Sequence, residues 1–336
     1  MFIDYYLELI TVSNLNETFD KVVNTTLVDG KYTIERIWNG PLRSNTVYKV
    51  LIDGCTSSNL IDWPYVLSTA FKTMSPIIGK HTAVYLNDPN KMHDYINANL
   101  IKSSNLDIKY IATQAPLSNT IEEFWWMILQ YKVTKIVMLT KFEERLDSER
   151  LINKCAHYFP MDKQEHKMYG SIDVEVLDVQ IQSELEIREL CVTSALNVQH
   201  VTHYYFTAWP DFGILDKQKL IDLIQMVNKS VTKTINDSST ASSEKIAAPL
   251  VVHCSAGVGR TGTYIAVDTV MHLLDKISYD ELANAKLDIM GIVYQLRLDR
   301  ARMVQTKDQY LLIYRCVEEY LARTGRFDAC KQIRNI

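Results

Sequence analysis

The run Pro249–Val252 is short and apolar, like a buried strand, and Thr263–Leu274 is mostly apolar and about three turns long, like a buried helix. Between them stand His253-Cys254-Ser255-Ala256-Gly257-Val258-Gly259-Arg260-Thr261-Gly262. A strand feeding a helix through so short a loop fixes much of the surrounding fold. Ala256, Gly257 and Gly259 carry little or no side chain, so the backbone can approach an anion closely. The N–H groups of Ser255, Ala256, Gly257, Val258 and Gly259 can point inward around one tetrahedral anion. Strand, anion-sized loop and helix N-terminus together form an arrangement that binds phosphate.

The residue types extend this to chemistry. A helix N-terminus beside a fixed cation favours a thiolate, and Cys254 occupies such a place with Arg260 close by. It is expected to be ionised at neutral pH and able to attack phosphorus. The planar fork of Arg260 can hold two phosphate oxygens into the transition state. Thr261 places a hydroxyl where it can stabilise the departing thiolate. Cleaving a phosphate ester this way also needs an acid for the leaving oxygen. Asp211 lies in Trp209-Pro210-Asp211-Phe212-Gly213, stiff at its proline and hinged at its glycine, although these residues also suit an ordinary type I turn. Gln305 and Gln309 are four apart and share a face if both lie on one helical turn, where they could orient water.

The decapeptide resembles the active-site loop of receptor- and non-receptor-type protein tyrosine phosphatases. Four further segments resemble that family in the same order: Asp94-Tyr95-Ile96-Asn97-Ala98-Asn99, Thr113-Gln114-Ala115-Pro116-Leu117, Trp209–Gly213, and Met303-Val304-Gln305-Thr306-Lys307-Asp308-Gln309-Tyr310. The resemblance implies phosphotyrosine hydrolysis through a phosphocysteine on Cys254, with Arg260 as phosphate clamp and Asp211 as general acid and base. It makes Phe212 a wall of the substrate pocket and Trp209, with Pro210, the anchor of a closing loop. It gives Gln305 the positioning of water, Gln309 a supporting role, and His253 a place in the loop's support. Glu144 matches a glutamate that pairs with the loop arginine, and Lys154 a lysine that meets the closed acid loop. The implied fold is α/β, a highly twisted mixed β-sheet flanked by α-helices.

The segment Phe71–Ala83 departs from the family. It offers no counterpart of the tyrosine that stacks on the substrate ring, and an arginine expected near Ala83 is missing. Phosphate-ester chemistry is unaffected, but phosphotyrosine selectivity stays open. A dual-specificity or lipid phosphatase, and a phosphotyrosine-binding trap without useful turnover, remain alternatives.

The chain's 336 residues and 47% hydrophobic content suffice for one large core. Five motifs that must converge on one site favour a single catalytic domain over residues 61–323, preceded by an extension over 1–60 and followed by a tail over 324–336. The net charge of −4 gives no sign of nucleic-acid binding. No apolar run is long enough to span a membrane, and the acidic N-terminus does not read as a signal peptide. Six scattered cysteines and a required free thiol suit the cytoplasm. The expected partners are phosphotyrosine-containing proteins, with no metal and no cofactor; the oligomeric state stays open.

Local patterns add elements. Thr120-x-x-Glu123 reads as a capping box opening a helix to about Lys132. Lys135–Thr140, Ile172–Gln182, Glu186–Ser194 and Val201–Thr207 read as strands. Leu220, Leu223, Ile224, Val227 and Val231 predict a helix over Asp216–Ile235, Asn236–Ala248 a mobile loop, and Asp308–Arg323 a closing helix. Phe124-Trp125-Trp126 reads as core.

Overall fold

The apolar run before Cys254 becomes an inner strand of a nine-stranded sheet. The computed structural model describes residues 81–87, 95–102, 109–145, 151–210, 215–230, 248–282, 285 and 287–326, and the backbone of 25–28 and 31–34. The chain divides into two units, Met1–Ile78 and Gly79–Ile336. In the first, β1 (Thr25–Val28) and β2 (Lys31–Ile34) form an antiparallel pair with Val28 opposite Lys31. The Asp29-Gly30 between them in sequence is a pair that tight hairpins favour.

The second unit runs β3 (Ala83–Tyr85), β4 (Tyr95–Lys102), β5 (Lys109–Thr113), α1 (Ile121–Gln130), β6 (Lys135–Met138), β7 (Glu143–Arg145), β8 (Leu151–Asn153), β9 (His166–Tyr169) and β10 (Ile172–Gln182). It continues with β11 (Leu185–Thr193), β12 (Val198–Phe206), α2 (Lys217–Lys229), β13 (Leu250–His253), α3 (Gly259–Lys276), α4 (Tyr279–Leu282), α5 (Ile289–Asp299) and α6 (Lys307–Arg323). The sheet order is β3-β4-β5-β13-β6-β12-β11-β10-β9, twisted and mixed. β13 pairs in parallel with both β5 and β6, and β12 with β6; the other pairings are antiparallel. A strand flanked by parallel neighbours and covered on both faces must be apolar throughout, which explains Leu250-Val251-Val252. The α/β class and the helix-flanked mixed sheet are as expected.

Alternate residues of the inner strands face opposite layers. Ile111, Ile136 and Val251 join Phe124, Trp125 and Ile128 of α1 in one hydrophobic cluster. Tyr110, one position from Ile111, instead reaches Asp268 of α3 through its hydroxyl at 3.0 Å. α3 is buried almost all round and packs on α6 and α5. Phe124 and Trp125 are core, with Trp126 packed against them. α2 opens on Asp216, whose carboxylate accepts from the N–H groups of Gln218 and Lys219.

Several boundaries differ from the sequence expectation. α1 ends at Gln130 and has no side-chain cap: the Thr120 hydroxyl accepts from Leu117 N–H at 2.9 Å, so the capping box with Glu123 does not form. The strand expected over Lys135–Thr140 stops at Met138. The helix expected to reach Ile235 ends at Lys229, with Ser230 turning into extended backbone. Of the mobile loop expected over Asn236–Ala248, only Ala248 lies within the described residues.

Candidate active site

His253 closes β13 and Gly259 opens α3, so Cys254–Val258 form the loop between them. Gly257 has φ +69°, and a Cβ there would stand 2.0 Å from the carbonyl oxygen of Thr113. Only glycine fits that position. Four consecutive carbonyls are turned outward to donors from other segments. Ser255 O accepts from Ala115 N–H at 2.9 Å and Val258 O from Val304 N–H at 3.0 Å. Ala256 O and Gly257 O accept from Arg300, at 3.1 and 2.8 Å. Among the described residues the N–H groups of 255–258 have no acceptor, so they form a cradle of donors.

Cys254 is 5% exposed at the start of this cradle. Arg260, in the first turn of α3, donates through Nη1 to the Glu144 carboxylate and to Leu139 O at 3.1 Å, and through Nη2 to Pro210 O at 3.4 Å. Glu144 is buried, accepts from the Thr140 hydroxyl at 2.9 Å, and has Lys154 Nζ 4.0 Å from its other oxygen. The expected Glu144–Arg260 pair is therefore present, with Lys154 beside it. Thr261 is fully buried, and its hydroxyl has no partner among the described residues.

Gln305 and Gln309 do not share a helical turn. Gln305 precedes α6, Thr306 is its N-cap, and Gln309 closes a capping box with Thr306. Gln309 Oε1 also accepts from Gln305 N–H at 2.9 Å. The two amides nevertheless converge, because a Cβ on Gly259 would stand 2.8 Å from Gln305 Oε1 and 3.0 Å from Gln309 Nε2. The turn that delivers Gln305 is strained: Arg302 and Val304 both have left-handed backbone, at φ +66° and +58°. Arg297 holds this turn by donating to the carbonyls of Met303 and Val304.

Behind Cys254 lies a chain of buried polar groups. The Tyr158 hydroxyl is 2.7 Å from His253 Nε2 and 2.6 Å from His203 Nε2, and His253 Nδ1 is 3.2 Å from Cys254 O. If His253 Nδ1–H donates to that carbonyl, its Nε2 accepts from Tyr158, and Tyr158 in turn accepts from His203 Nε2–H. His203 Nδ1, unpartnered among the described residues, is then the bare nitrogen. Burial pushes His253 down to about 4, and drives His203 well below its ordinary value. Both imidazoles are neutral at pH 7.

The family described as protein-tyrosine phosphatase matches residues 72–319. The chain belongs to the protein-tyrosine phosphatase family. It is 38% identical over 231 residues to receptor-type tyrosine-protein phosphatase eta of Gallus gallus, covering 68% of this chain and 15% of that protein. It is 37% identical over 232 residues to tyrosine-protein phosphatase non-receptor type 7 of Mus musculus, covering 68% of this chain and 57% of the relative. Receptor-type tyrosine-protein phosphatase C of Homo sapiens is 37% identical over 231 residues, covering 68% of this chain and 16% of its own length. The chain thus spans less than two thirds of the length of each of these relatives. No helix among its described residues is long and apolar enough to cross a membrane.

In this phosphatase-family chain, Cys254, Arg260, Thr261, Glu144, Lys154, Gln305 and Gln309 meet around the cradle or its arginine. Trp209 is buried, and Pro210 touches Arg260. Asp211, Phe212 and the segment 71–80 lie outside the described residues. Ala83, near which an arginine was expected, pairs with Asn99 in the sheet. Sequence reasoning missed Arg297, Arg300, Tyr158 and His203. The two arginines belong to Arg297-Leu298-Asp299-Arg300, which reads as a solvated charged run. Tyr158 lies four residues after Lys154, and its neighbours His157 and Phe159 disguise it as core.

Proposed function

We propose that this chain hydrolyses phosphotyrosine in proteins through a phosphocysteine intermediate. The outward-turned carbonyls of Ser255–Val258, which leave four successive N–H groups for an anion beside Cys254, carry the reading. Cys254 Sγ attacks phosphorus, forming the S–P bond as the ester P–O bond breaks. Asp211 gives its proton to the leaving phenolate oxygen. Arg260 and the loop amides hold the phosphoryl oxygens through the transition state. Water placed by Gln305 then attacks phosphorus and gives a proton to the Asp211 carboxylate. The S–P bond breaks, and the Thr261 hydroxyl receives the departing thiolate. The products are the free tyrosine and inorganic phosphate, and the sequence of steps calls on no metal or cofactor.

Phe212 lines the pocket, and Trp209 and Pro210 anchor the acid loop. The catalytic unit occupies 61–323, flanked by an extension over 1–60 and a tail over 324–336. The partners are phosphotyrosine-containing proteins in signalling. The required free thiol suits a reducing compartment such as the cytoplasm. Purified protein is expected to release phosphate from phosphotyrosyl peptides faster than from phosphoseryl peptides or phosphoinositides, with release abolished by Cys254→Ser. Release that survives Cys254→Ser, or tight phosphopeptide binding without release, would contradict this.

A further inference from the structure

We propose that Arg300 is a positioning residue whose buried guanidinium serves as the counter-charge of the Cys254 thiolate. The inference rests on the reading of Cys254 as nucleophile and deepens it.

Arg300 is 6% exposed. It donates to Gly257 O and Ala256 O, to Asn99 Oδ1 at 2.7 Å and to Asn97 Oδ1 at 2.9 Å. Every one of these acceptors is neutral. Its neighbour Asp299 turns its carboxylate elsewhere, to Lys102 N–H at 3.1 Å and the Gln295 amide at 3.4 Å. No carboxylate among the described residues pairs with Arg300. A buried cation with satisfied hydrogen bonds but no counter-ion is costly. Burial accordingly pushes Arg300 down to about 10, and the groups that resist this are first Cys254 and then Tyr95.

The other charged groups near the loop sharpen the contrast. Arg260 is already matched by Glu144, with Lys154 at that carboxylate's far oxygen. His253 and His203 are neutral, and burial drives the Tyr158 hydroxyl well above its ordinary value. Among the described residues Arg300 is therefore a positive charge bonded to the loop with no carboxylate partner, and an anionic sulfur is the group that completes it. The same guanidinium turns the carbonyls of Ala256 and Gly257 away from the cradle. One side chain thus both orients the amides and balances the nucleophile.

Alkylation of Cys254 by iodoacetamide, followed from about pH 4 to about pH 9, separates charge from scaffolding. Wild type, Arg300→Gln and Arg300→Lys are compared, with circular dichroism reporting the fold. Arg300→Gln is expected to move the midpoint up by about one pH unit or more, a roughly tenfold loss of thiolate below both midpoints. Arg300→Lys keeps the charge without the fork. Its midpoint should stay within about half a unit of wild type while kcat falls. A folded Arg300→Gln that titrates with wild type overturns the proposal. If Arg300→Gln does not fold, Arg300→Lys decides: an unmoved midpoint supports the proposal, and an upward displacement of about a unit overturns it. A wild-type Cys254 that behaves as an ordinary thiol defeats instead the reading of Cys254 as nucleophile.

Discussion

Arg260 Nη2 lies 3.4 Å from the carbonyl oxygen of Pro210, the residue just before Asp211. The same guanidinium is held from its other side by Glu144. The proposed phosphate clamp and the base of the proposed acid loop are thereby tied through one side chain. Glu144→Ala removes the buried partner and frees the arginine to leave its productive orientation. It should lower kcat/KM by roughly tenfold or more, with phosphopeptide affinity less affected than turnover. Steady-state kinetics combined with calorimetric binding checks this. An unchanged kcat would show that Arg260 needs no such support.

Asp211→Ala is expected to slow turnover by ~10²-fold or more while leaving phosphopeptide binding nearly unchanged. The comparison is kcat against the dissociation constant of the trapped complex. Collapsed affinity with an intact rate per bound complex would remove Asp211 from its role as acid.

Gly257 in the loop and Gly259 at the start of α3 should fail differently on substitution. Gly257→Ala drives a Cβ into the Thr113 carbonyl and forces an L side chain into left-handed backbone. It should destabilise the fold by about 1–3 kcal/mol, read as a lower urea midpoint. Gly259→Ala meets the amides of Gln305 and Gln309, the ends of flexible side chains. Its stability should hold, whereas hydrolysis of the phosphocysteine slows and the phosphoenzyme accumulates in rapid-quench experiments. Equal loss of stability in both variants would contradict this division.

The β13–loop–α3 core of the site was legible because an apolar run, a glycine-rich loop and a second apolar run permit few arrangements. β10 was legible from Ile172, Val174 and Val176, which alternate and are all buried. Capping was not legible. Thr120 and Thr306 each precede an acid or amide by three positions, and nothing local reveals that Thr120 bonds back to Leu117 while Thr306 caps α6 with Gln309. Arg300 was hidden for a tertiary reason: its partners Asn97, Asn99, Ala256 and Gly257 are distant in sequence, and only sheet closure brings them together.

Stability should fall on both sides of neutrality, with opposite causes. His253 titrates near 6.5 when unfolded but is held to about 4 by burial. The unfolded chain therefore binds more protons between those values, and His253's contribution, complete above pH 6.5, is lost as pH falls toward 4. His203 acts in the same direction. His272 is raised instead by its hydrogen bond to Asp268, so its contribution is complete below 6.5 and is lost as pH rises through the folded value. Urea unfolding across this range should show a maximum near neutrality. Tyr158→Phe, which leaves two imidazole nitrogens unpartnered, should lower that maximum by about 1–3 kcal/mol.

Rapid acid quench of the protein with a phosphotyrosyl peptide carrying radiolabelled phosphate is the decisive experiment for the proposed phosphocysteine. A burst of dephosphorylated peptide is expected, matched by label covalently bound to Cys254, absent in Cys254→Ser and more abundant in Gln305→Ala. Phosphate released with no label ever reaching Cys254, or label retained in Cys254→Ser, would contradict it.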